Sequence, residues 1–188
     1  QANYSLDREI YALTKLKEAY LYACKKDIEL IKPGNVSKNS PHSDTNAQDY
    51  LNSSTLSVKE LFNDKYMLGE RILQSVKITR SKINVNTNLG IIMLCAPIIQ
   101  ACINYNSFGL REGIKQTLLS ATYKDTHDLC KAIHLSSPGG LGSSDMYDVS
   151  DNPSISIKQM MDYSAKYDRI SYQFSHNYSD ILDFIIPR

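Results

Sequence analysis

The stretch LGIIMLCAPIIQACI, residues 89–103, decides the fold. Its fifteen residues carry no charge, and apolar side chains fall on every face of a helical spiral. A membrane span needs about 20 such residues, and Gly90, Pro97 and Gln100 interrupt this run. The expected element is therefore a helix buried at the centre of a bundle. Pro97 has no amide N–H to donate, so a kink is expected one turn before it.

A buried helix needs amphipathic neighbours, and the chain supplies them. Leu6, Ile10, Leu13, Leu16, Tyr20 and Ala23 recur at three- and four-residue steps, the period of a helix with one apolar face. Ser5 suits its N-cap, with Asp7 and Glu9 in the first turn. Pro33 and Gly34 stop it near Ile31. Further helices are expected at about 45–54, 58–63 and 66–83, and Asn86 or Thr87 should cap the buried one. Downstream, Leu110, Ile114 and Leu118 mark another, and 124–135 the next. A final helix starts near Ser154 or Ser156 and runs through Ile170, with one or two more turns in 178–186. No run alternates with the period of a strand, and nothing repeats. The expected fold class is all-α: one compact domain, residues 1–188, of about eight helices around the buried one.

Lys and Arg total 21 and Asp and Glu total 20. That balance lacks the basic footprint of a nucleic-acid or membrane-surface protein, so neither partner is expected. Four cysteines, Cys24, Cys95, Cys102 and Cys130, form no C-x-x-C pair, which argues against zinc. Cys95 and Cys102 are one heptad apart on the buried helix, roughly 10 Å along its axis, beyond disulfide reach. Buried free thiols in a reducing cytoplasm are expected. The Met160-Met161 pair and the thirteen tyrosines read as packing residues.

Three loops carry more polar chemistry than connection demands. The first runs from Lys32-Pro33-Gly34-Asn35 to His42-Ser43-Asp44. Its Pro-Gly turn needs no function, but His42 beside Asp44 adds a group that titrates near neutrality. The second, Asn86-Thr87-Asn88, opens the buried helix. It either caps the helix or offers backbone N–H groups to a phosphate. The third is Ser137-Pro138-Gly139-Gly140-Leu141-Gly142, followed by Asp145 and Asp148. It is neither a Walker loop nor a dinucleotide fingerprint. It reads either as a linker or as backbone shaped around a ligand, with carboxylates suited to magnesium.

Taken in order, the strings KPGNV (32–36), HSD (42–44), DYLNS (49–53), LGERIL (68–73), NTNLG (86–90), LCAP (94–97) and SPGGLG (137–142) resemble the triphosphoribosyl-dephospho-coenzyme A synthase family. The resemblance implies an all-helical transferase that joins C1 of ATP's ribose to the 2′-hydroxyl of dephospho-CoA or a related acceptor, with release of adenine. It implies ATP as substrate, magnesium as cofactor, and a cytoplasmic enzyme of prosthetic-group or cofactor synthesis. The sugar gains positive charge as its bond to adenine breaks, as in glycoside hydrolysis. On this reading Asp44 is the base or charge stabiliser and His42 assists. Lys32, Gly34, Asn35, Asn86, Thr87, Asn88, Gly139, Gly140 and Gly142 bind nucleotide and phosphate, and Asp145 and Asp148 hold the metal.

The match departs from better-known synthases at two strings: their Gly-rich segment contains an arginine, where this chain has SPGGLG (137–142). They also carry Asn-Thr-His-Lys-Gly where this chain has Asn86-Thr87-Asn88-Leu89-Gly90, and the pattern here is similar to an archaeal and methylotroph-type branch. The family is longer, so an incomplete copy lacking a C-terminal part is expected. The alternative reading is a non-catalytic nucleotide-binding or interaction protein on the same scaffold.

Overall fold

The structure, a computed structural model, describes residues 2–30, 46–83, 86–136 and 154–185. Among them it holds eight α-helices and no strand. They are α1 Ala2–Glu29, α2 Ala47–Leu61, α3 Leu68–Arg80 and α4 Leu89–Asn104. There follow α5 Leu110–Ser120, α6 Tyr123–Ser136, α7 Ile157–Ser164 and α8 Arg169–Ser175. A 3₁₀ turn, Asn106–Phe108, and a π turn, Ile181–Ile185, complete the elements. The all-α expectation holds.

Helix α4 is the buried element that its composition demanded. Ile92 and Ala96 have no exposed surface, and Ile99 and Ala101 almost none. It stays helical through Pro97. Proline removes the amide that would donate to the Met93 carbonyl. The Tyr178 hydroxyl, fully buried, lies 3.4 Å from that carbonyl and 3.0 Å from that of Leu94. Tyr178 reaches this position from a turn in which it and Asn177 both have positive φ, 62° and 50°.

Helix α3 is the second organiser, packed along both α6 and α2. At Gly69 its backbone meets that of Asp125, and any Cβ there would collide with the Asp125 main chain. The Asp125 carboxylate uses this closeness. One oxygen accepts from the Gly69 amide at 2.9 Å, and the other accepts from the amide and hydroxyl of Thr122, both at 2.8 Å. One side chain thus satisfies the amino ends of two helices.

Arg71 fixes the turn between α2 and α3. Its guanidinium is fully buried and donates to the carbonyls of Leu61 at 2.5 Å and Tyr66 at 2.8 Å. Its Nε lies 3.5 Å from Oε1 of Gln100 on α4. Burial lowers its pKa to about 10, so the charge persists at neutral pH.

Three expectations need correction. The helices expected at 45–54 and 58–63 are one, α2. The hydroxyls of Ser53, Ser54 and Thr55 bond back to carbonyls three or four residues earlier, so the serine-rich centre does not break it. The final helix is two, because Asp168 accepts from the amides of Ile170 and Ser171 and starts a new one. Helix α1 begins at Ala2, which puts Ser5 inside it rather than at its cap.

Candidate active site

The direction of each helix follows from its contacts. Tyr20 of α1 meets Ser57 of α2 and Phe62 at its C-terminal end, while Lys17, one turn earlier, lies over Phe62. The two helices therefore run antiparallel. Asn88, before α4, meets Ser53 and Ser57, while Gln100 near its other end reaches Arg71 beside Leu61. Helix α4 therefore runs parallel to α2. The end of α1, the start of α2 and the start of α4 share one end of the bundle. The start of α8 joins them, since Ile170 packs directly over Gly90. Helices α3 and α6 both start at the opposite end, where Gly69 meets Asp125. The last turn of α3, with Lys77 and Arg80, returns the chain toward α4.

At this shared end lies a buried polar network. Ser53 and Thr87 share a short hydroxyl–hydroxyl bond. Asn88 Nδ2 donates to the Ser53 carbonyl at 3.2 Å and sits 3.4 Å from the Ser57 hydroxyl. Ser57 in turn shares a 3.2 Å bond with the Tyr20 hydroxyl. All five residues are buried. Asn86 accepts from the Leu89 amide at 3.2 Å, although the N-cap position is Asn88 rather than the expected Asn86 or Thr87. Thr87 and Asn88 thus spend their side chains on α2. What the turn presents at the start of α4 is backbone, held in place by two serines and a tyrosine.

A groove of about 360 Å³ runs beside this network, between α1 and α4. Tyr20 and Phe62 lie at its floor, Cys24 and Cys95 face it from the two helices, and Asp27 is the single charged residue among the described ones that line it. Burial pushes both thiols up, Cys95 to about 12, so they stay protonated and unreactive at neutral pH. Burial also raises the Tyr20 hydroxyl, leaving it a neutral partner for Ser57.

Of the residues expected at the site, Asn86, Thr87 and Asn88 are together at the α4 start. Lys32, Gly34, Asn35, His42, Asp44, Gly139, Gly140, Gly142, Asp145 and Asp148 lie outside the described residues. Among the described residues no three His, Cys, Asp or Glu side chains gather to hold a metal. All four cysteines are described and none is in a disulfide. Cys24 and Cys130 are buried, but Cys95 is half-buried and Cys102 exposed. No described helix is long and apolar enough to cross a membrane.

Tyr20, Ser53 and Ser57 have supporting roles that the sequence reading did not assign. The available signal was a pair of serines four residues apart on one helix face. Tyr20 was hidden within the apolar stripe of α1.

Among curated proteins and among solved structures, nothing matches the chain. A family model described as ATP:dephospho-CoA triphosphoribosyl transferase (CitG) matches residues 13–188, which includes every string noted above and every described helix except the first part of α1. The chain belongs to this family of enzymes, which transfer the triphosphoribosyl group of ATP to dephospho-CoA in cofactor biosynthesis.

Proposed function

We propose that the chain joins C1′ of ATP's ribose to the 2′-hydroxyl of 3′-dephospho-CoA, or of a related acceptor, at the end of the bundle where α1 ends and α2 and α4 begin. A C1′–O bond forms, the C1′–N9 bond to adenine breaks, and the triphosphate stays on the ribose. The observation that carries this reading is the family match over residues 13–188. The shared end of α1, α2 and α4 supports it, because Lys32 to Asp44 join α1 to α2 in sequence.

Asp44 takes the hydroxyl proton or faces the positive charge growing on the sugar, with His42 assisting. The backbone of Asn86, Thr87 and Asn88 holds phosphate or ribose, where the helix end is partially positive. Lys32 adds a cation, Gly34 and Asn35 shape the first loop, and Gly139, Gly140 and Gly142 form the nucleotide side. Asp145 and Asp148 hold magnesium, which when bound neutralises triphosphate charge. The enzyme works in the cytoplasm, where ATP is abundant and free thiols persist.

Adenine release by Asp44→Asn and His42→Ala variants tests the residue roles. Each should slow turnover by about 10²-fold or more. Unchanged turnover in both would remove these residues from the reaction.

A further inference from the structure

We propose that the groove between α1 and α4 holds the pantetheine arm of the acceptor. This rests on the transfer reading above and names where one part of its second substrate lies. Along α4 the groove extends from Ile91 to Ile99, roughly 12 Å at the helical rise. It is therefore an elongated channel rather than a cup. Among the described residues its lining is aliphatic, aromatic and thiol, with one carboxylate, Asp27, and no cation.

That lining discriminates among the pieces of the two substrates. Phosphates are poor occupants, because no cation is among the described lining residues and the one charged group there is a carboxylate. Adenine is a poor occupant, because its polar edge needs donors and acceptors, and the one lining hydroxyl, Tyr20, is already bonded to Ser57. The pantetheine arm is uncharged, long and flexible. Its dimethyl carbon and methylenes suit the aliphatic walls, and the open side leaves its amides in water. Position agrees with chemistry. The Tyr20 floor leads through Ser57 to Asn88, so an arm lying here keeps its nucleotide end beside the α4 start.

The test is equilibrium binding by calorimetry to the full chain, with dephospho-CoA and with ADP, the same nucleotide lacking the arm. The wild type should bind dephospho-CoA more tightly than ADP. Ala23 lines the groove from its solvent side and is exposed, so Ala23→Trp fills the channel without entering the core. This variant should weaken dephospho-CoA about tenfold or more and leave ADP and the KM for ATP unchanged. Ile98→Asn, on the facing helix, should act in the same direction. Two results overturn the assignment: no preference of the wild type for dephospho-CoA over ADP, or weakening of ATP rather than dephospho-CoA by Ala23→Trp. A preference for dephospho-CoA without adenine release sinks the transfer reading and leaves the groove assignment standing.

Discussion

Asn88 donates to the backbone carbonyl of Ser53 across 3.2 Å, tying the turn before α4 to the middle of α2. Both residues are buried, so the bond is shielded from competing water. It makes the geometry of the α4 start depend on a helix far away in sequence. Asn88→Ala leaves the Ser53 carbonyl without that donor and should destabilise the fold by about 1–3 kcal/mol. Urea unfolding measures it. Ser57→Ala should cost less, because Tyr20 and Asn88 each lose only one partner.

Gly69 admits no side chain, since a Cβ would overlap the Asp125 main chain. Gly69→Ala must therefore push α3 from α6, with a loss of about 3 kcal/mol, the upper end of ordinary overpacking. Asp125→Ala opens the same junction by removing caps from two helices, and should lose about 2 kcal/mol. Thermal or urea unfolding of both variants checks the order.

Arg71 donates to two backbone carbonyls in the α2–α3 turn. Arg71→Lys keeps the charge but cannot span both, so about 2–3 kcal/mol should be lost. A loss below 0.5 kcal/mol, on the scale of an ordinary surface change, would show that the fork does not hold the turn.

The pH dependence has a defined sign. Burial raises the Cys95 thiol from 9.0 to about 12. Between those values the folded chain holds a proton that the unfolded chain has lost. This contribution to stability is full below pH 9 and declines as pH rises toward about 12. Tyr20, Cys24 and Tyr178 shift upward for the same reason. Cys95→Ala should flatten the alkaline decline of Tm without abolishing it.

Much of the fold was legible because its main signal is strong. Residues 89–103 are too short and too interrupted for a membrane span and read best as a buried helix, and the apolar stripes of α1, α3 and α5 have helical period. Helix α2 was read as two because serine and threonine favour turns in isolation. In place, their hydroxyls satisfy carbonyls of their own helix. Asp168 was overlooked as a start signal because apolar residues continue on both sides of it. Within the site, the bond from the Leu89 amide to Asn86 was legible, but the cap position itself, Asn88, was not. Buried roles for Thr87 and Asn88 were not, because they depend on serines of α2 that only the tertiary fold brings near.

The central claim is triphosphoribosyl transfer, and mass spectrometry of one reaction tests it most directly. The chain is incubated with ATP, magnesium and dephospho-CoA, and both products are sought. The expected result is free adenine together with dephospho-CoA heavier by one triphosphoribosyl group. ADP and a phosphorylated acceptor, or intact ATP after prolonged incubation, would contradict it.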